Sequence, residues 1–408
     1  MLFQKISAML HGKRTQRAAT VRYFRPKLEI LDERILLSTN TFTGAAGTTL
    51  WSNPANWSAG RIPNSQDQIS AGQVTINGVT QNSYDDIPNL TVLTAVLNGV
   101  TLAGAPPMGG SGSSLTGQQY IDVEGPLVMM PGSTLDSLNY VYVYSSVSAS
   151  ATAGFSPSAN IISPVVMLEP GATLVAAGGG TSTPALSITG NLNDYGAMSV
   201  GVVGGAPGSS SAMSVSGALT VEVGGTAVLH NGSTLLLNGG TLLDNGTVTM
   251  MGATIIGNVD IYGTFDSQGF PASRGPILGD TIQGDVLVSS GTLAIDTNAP
   301  HALDVTGNYT QHLGTLSVVI TPQSGETQLY VYGTVALSAY GGPSTLKVTA
   351  DGQLTPFASQ WDLIVARGGI TGDFGIFELP PSPVGNWATG VGVNFQGYPT
   401  YILSDGNP

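Results

Sequence analysis

The chain has no cysteine, which excludes disulfides, thiolate metal sites and cysteine nucleophiles. It has no apolar run of about eighteen residues, so no transmembrane helix is expected. Charge is scarce: Asp, Glu, Lys and Arg are 9% of the residues, against about a quarter in ordinary globular proteins. Positive charge is scarcest, with 12 Lys and Arg against 25 Asp and Glu and a net charge of −13. Eight of the twelve fall in residues 1–40, at Lys5, Lys13, Arg14, Arg17, Arg22, Arg25, Lys27 and Arg34. The remainder has only Arg61, Arg274, Lys347 and Arg367 against twenty-two acids, a net of −18. Such a body repels nucleic acid and anionic lipid, which are bound through clusters of Lys and Arg.

What is present is glycine and short apolar runs. Gly accounts for 56 of 408 residues and hydrophobic residues for 41%, enough to build a core rather than a disordered chain. From Ser214 to Asp266, runs of Val, Leu, Ile, Thr and Met are cut at Gly225, Gly232, Gly240, Gly246, Gly252, Gly257 and Gly263. Runs this short are too brief for helices, and β-branched residues between Gly and Asn read as strands joined by tight turns. Regular repetition of such strands predicts an all-β chain, a single-stranded β-solenoid of parallel β-helix type with N- and C-terminal caps. At roughly 20–25 residues per coil, residues 73–353 hold about a dozen coils.

The expected organisation has four parts: a basic segment 1–40, disordered or helical; a Trp-containing cap 41–72; a solenoid 73–353; and an aromatic cap 354–408. The low-complexity stretches Gly104–Gly117, Ser145–Asn160, Gly178–Pro184 and Gly204–Ser211 are expected as loops bulging from the coils.

Within the first segment, Arg25–Thr39 reads RPKLEILDERILLST. Its plainest reading is a solvated basic tail. It also resembles the LEPRxLL-type segment of planctomycete and some other bacterial surface proteins, carried here by Glu29, Glu33, Arg34, Leu36 and Leu37. Asp32 stands in place of the family's proline. The resemblance implies export or sorting to the cell surface or beyond. Trp51, Asn56, Trp57, Gly60, Pro63 and Asp67 resemble the opening module of bacterial surface β-solenoids. Physically they suit a cap in which Trp51 and Trp57 cover the first coil and Arg61 pairs with Asp67; a Trp platform for sugars is the alternative. The aromatic tail, with Trp361, resembles the closing region of autotransporter-passenger solenoids, which implies a second cap.

For chemistry, no Gly-x-Ser-x-Gly elbow, phosphate loop or calcium-binding nonapeptide is present. His230, His301 and His312 are isolated. Asp122 and Glu124 share a strand face, which reads as an exposed face before it reads as a carboxylate pair. The sharpest candidate is NYVYVYSS, where alternation puts Tyr140, Tyr142 and Tyr144 outward about 7 Å apart and Val141 and Val143 inward. Such rings are candidates for glycan stacking, unless the flanking loops bury them. Tyr330 and Tyr332 repeat the pattern and are expected to behave alike.

These readings converge on a non-enzymatic structural or adhesive solenoid of a bacterial surface, a monomer without cofactor. Its expected partners are cell-wall or extracellular glycans or surface proteins. A secreted β-helix enzyme on polysaccharide, lyase or hydrolase, and a carbohydrate-binding module are the alternatives.

Overall fold

Three short strand segments make one coil, and each coil lies parallel on the last. In the computed structural model the described residues are 43, 45–47, 53–62, 73–77, 90–98, 100–102, 114–151, 158–201, 210–269, 279–296, 302–320, 328–338, 342–354, 360–382, 386–394 and 396–405. All belong to the unit Leu37–Pro408. Apart from the 3-10 turn Pro54–Asn56, their regular structure is strand. It forms a 21-stranded sheet and a 13-stranded sheet, and the chain is a parallel β-solenoid. Among the described residues no helix is long and apolar enough to cross a membrane.

One coil shows the pattern. Ser211–Val215 and Leu219–Val221 lie in the first sheet, separated by a bend, and Thr226–Leu229 lies in the second. The next coil places Leu235 beside Met213, Leu242 beside Leu219 and Ala227 beside Val248. Alternate residues of each segment turn inward, so that Leu192, Leu219, Leu242, Val259 and Val286 form one buried column. Identical inward positions therefore stack into a single apolar core running through the coils. Register is held while coil length varies, from 17 residues between Leu242 and Val259 to 35 between Val335 and Ile370.

Glycine marks the corners because of crowding more often than because of turn geometry. At the bend inside the first sheet, Gly190, Gly217 and Gly240 stack coil on coil, as do Gly257, Gly284, Gly307 and Gly333, and the register of Thr241 with Asn258 joins the two runs. A Cβ on Gly217 would sit 2.6 Å from the Gly190 carbonyl oxygen, and one on Gly333 2.5 Å from that of Gly307. Gly225, Gly246, Gly263, Gly291 and Gly314 form a second such column where the chain crosses to the other sheet. Of the seven glycines that cut the runs between Ser214 and Asp266, Gly225, Gly232, Gly240, Gly246, Gly252, Gly257 and Gly263, only Gly232, Gly252 and Gly257 have positive φ. The other four are not the tight-turn residues expected; their backbones are packed against the coil below.

The residue after the first-corner glycine continues the ladder through its side chain. Asn191 Oδ1 accepts the Ala218 N–H at 2.9 Å, Asn258 Oδ1 that of Asp285 at 3.0 Å, Asp285 Oδ1 that of Asn308 at 2.7 Å, and Asn308 Oδ1 that of Thr334 at 3.0 Å. Backbone donors left open by the bend are satisfied in this way.

Two expected boundaries shift. The low-complexity stretches are partly strand: Ser146–Ala151 and Ser114–Val123 pair in the sheets, and Gly179 and Gly180 pair antiparallel with Pro184 and Thr183. In SVSASA the inward residues Val147 and Ala149 are small and fully covered, so a Ser/Ala composition fills a narrow part of the core. The coils also pass residue 353. Ile364 pairs parallel with Leu329, Ile370 with Val335 and Ile376 with Thr345, giving one more coil up to Glu378. The closing element is the hairpin Trp387–Val393 and Pro399–Asp405, laid antiparallel on Gln360–Ala366.

Candidate functional site

The tyrosine row lies on the outer side of the first sheet. Val141 and Val143 are fully buried, while Tyr140 and Tyr144 are 43% and 51% exposed and Tyr142 is half-buried. The rings run nearly parallel, with centroids 5.7 Å apart from Tyr140 to Tyr142 and 6.2 Å from Tyr142 to Tyr144. Strand alternation alone gives about 7 Å; the rings lean onto one another, as aromatic pairs prefer.

Register supplies the neighbours. On one side, Tyr120 pairs with Tyr140 and Asp122 with Tyr142; on the other, Val165 pairs with Tyr140 and Met167 with Tyr142. Just beyond the strand, backbone bonds stack Glu124, Tyr144, Glu169, Tyr195 and Glu222 in one column. Their N–H groups donate in turn to Leu97, Val123, Val143, Leu168 and Asp194 carbonyls. Burial, and then Glu124, pushes the Asp122 carboxyl up. Partial burial, then Asp122 and Glu169, pushes up the Tyr144 phenol. This alternation of acid and tyrosine is invisible along the chain, since its members are 20 to 27 residues apart at uneven intervals. Only the register brings them into line.

The second tyrosine pair differs from the expectation. Tyr330 is 5% exposed, Tyr332 is 43% exposed, and their rings meet edge to face at 5.1 Å. Arg367, one coil on, places its guanidinium 4.7 Å from the Tyr332 centroid, 5.6 Å from Tyr330 and 5.4 Å from Tyr398. Its Nε donates to the Tyr330 hydroxyl at 2.7 Å. The pair is filled by the protein's own cation and does not present the parallel rings of Tyr140–Tyr144. The pattern YVY is the same; the residue on the next coil decides the outcome.

Trp57 and Trp361 are buried in the common core. Trp361 meets Trp387 edge to face at 5.8 Å, and Trp387 Nε1 donates to the Pro380 carbonyl at 2.6 Å. Both buried rings close the core rather than present a sugar platform. Asp373 accepts the Tyr401 hydroxyl and the Phe374 N–H, tying the hairpin to the last coil. Glu29, Glu33, Arg34, Leu36, Leu37, Trp51, Asp67 and His301 lie outside the described residues.

Sequence reasoning missed the carboxyls inside the stack. Asp194, Val221, Asp244, Ile261, Val288, Gln311 and Leu337 are successive members of one inward column. Asp194 Oδ1 accepts the Gly196 N–H and Asp244 Oδ1 that of Gly246, while both Oδ2 atoms are buried without a partner. Burial pushes both carboxyls up to about 7, opposed by those backbone bonds. Gln311 is satisfied by the Tyr309 hydroxyl and the Gly314 carbonyl. Asp280 is also buried, but both its oxygens are bonded, to Ala253 N–H, Ser267 Oγ and Gly269 N–H. The signal in the sequence was Asp-x-Gly after an apolar run, the same local pattern as a surface turn.

Burial lowers the His230 imidazole. Among the described residues no three His, Asp or Glu side chains are grouped to hold a metal. Comparison with family models, curated proteins and solved structures finds no match for this chain.

Proposed function

We propose that the protein is an exported structural or adhesive solenoid that presents its tyrosine row at a bacterial cell surface. The observation that carries this reading is the row itself: Tyr140 and Tyr144 remain open on a rigid strand whose valines are fully buried. An exposed aromatic cluster on a rigid element is the usual form of a binding surface. The stacked coils suit a spacer that holds this surface away from its anchorage. The LEPRxLL-like segment of residues 25–39 supports delivery outside the cytoplasm.

Two experiments test it. The chain lacking residues 1–39 should keep its far-ultraviolet spectrum and melting temperature yet fail to reach the surface of its native host; normal delivery removes the sorting role. On residues 41–408, a glycan array with a turnover screen should show binding without product release. Release of product from any sugar replaces this reading with the enzymatic one.

A further inference from the structure

The acid–tyrosine column has a filled counterpart elsewhere in the molecule. At Tyr330 and Tyr332 the next coil supplies Arg367, which covers both rings. At Tyr140–Tyr144 the flanking coils supply Asp122 and Glu124 on one side and Met167 and Glu169 on the other. No Lys or Arg occurs between Arg61 and Arg274. The column therefore brings together tyrosines and carboxylates, the two groups that hold a cation, in a part of the chain with no cation of its own.

Spacing narrows the occupant. Neighbouring strands stand about 4.8 Å apart, so Glu124, Glu169 and Glu222, on alternate coils, repeat at about 10 Å with Tyr144 and Tyr195 between them. Asn245 Nδ2 approaches Glu222 at 3.5 Å, leaving the carboxylate its second oxygen. A polyproline-type chain has three residues per turn and rises about 9 Å per turn, so a basic residue at every third position meets each acid in succession.

Resting on the adhesive reading above, we propose that the column Glu124–Tyr144–Glu169–Tyr195–Glu222, with Tyr140 and Tyr142 beside it, docks an extended basic polypeptide. Its Arg or Lys side chains lie against the carboxylates and the tyrosine rings between them, as Arg367 lies against Tyr332.

The test uses the full chain and a labelled peptide with Arg at every third position. The controls are a peptide of equal composition with contiguous Arg, a glucosamine tetramer and neutral glycans. The spaced peptide should bind best, and binding should weaken as salt is raised. Combining Glu124→Gln, Glu169→Gln and Glu222→Gln should weaken it about tenfold and flatten its salt dependence with melting unchanged. Asp296→Asn, an exposed acid outside the column, should change nothing. Should the triple variant fold poorly, Glu169→Gln alone and Tyr144→Ala should each weaken binding several-fold. Peptide binding indifferent to these changes overturns the proposal. Binding of the glucosamine tetramer or neutral glycans without the peptide also overturns it, while leaving the adhesive reading standing. Failure of every ligand removes both.

Discussion

At the scale of single residues, the buried carboxyls make the solenoid more stable in mild acid than above neutral pH. Asp194 and Asp244 have folded pKa values of about 7, against an ordinary 3.8. Between pH 4 and 7 the folded state binds more protons than the unfolded one, so stability falls as pH rises through that window. Above pH 7 each costs on the order of 2–4 kcal/mol. Melting should therefore be higher at pH 5 than at pH 8. Asp194→Asn with Asp244→Asn should raise the pH 8 value and flatten the profile, because Asn keeps the bond to the Gly196 or Gly246 N–H. A steeper profile in the double variant contradicts this. Leu235 and Leu237 are buried and Leu236 is half-buried. Leu235→Asp should thus cost several kcal/mol and Leu236→Asp about 1 or less in urea unfolding. That one of these faces is core was legible from alternation; which one was not, since all three residues are leucine. The inward Asp residues were illegible for the opposite reason, because their local pattern is that of an exposed turn.

At the scale of elements, the corner columns decide how close the coils lie. A Cβ on Gly307 would sit 2.5 Å from the Gly284 carbonyl oxygen, and the ladder allows no retreat without breaking register. Gly307→Ala should cost about 3 kcal/mol. Gly239→Ala, at φ +85 but with nothing within 4 Å, should cost about 1 kcal/mol. Equal losses in denaturant melts remove the crowding argument. Strands were legible as short β-branched runs, and their parallel stacking as repetition without helices. The role of glycine was read less well, since crowding between coils and turn geometry select the same residue. The acid–tyrosine column belongs here too: it exists only across strands, and coil lengths are too uneven for a fixed period to reveal it.

At the scale of the whole stack, neighbours hold neighbours, and the ends are where it is weakest. The hairpin Trp387–Val393 and Pro399–Asp405 covers the edge of Gln360–Ala366 and helps bury Trp361. Removing residues 383–408 should leave that edge unpaired. Hydrogen exchange should then quicken in 360–378, and less in 329–350, while protection over 186–261 is kept. Uniform loss along the stack would mean that it unfolds as one unit. The aromatic tail was legible as a closing element, but its first strands are coil rather than cap, because aromatic content does not distinguish the two.

The unequal coil lengths also determine how the stack answers a pull along its axis. Backbone hydrogen bonds between coils run parallel to that force, so rungs open one after another and do not share the load. Each opened coil releases 17 to 35 residues, or about 60–120 Å of chain at 3.4 Å per residue. A single-molecule stretching record should show a staircase with unequal treads, each tread's length set by the coil that opens. Such a stack would then yield to a pull by paying out chain in steps, and rewind when the tension drops.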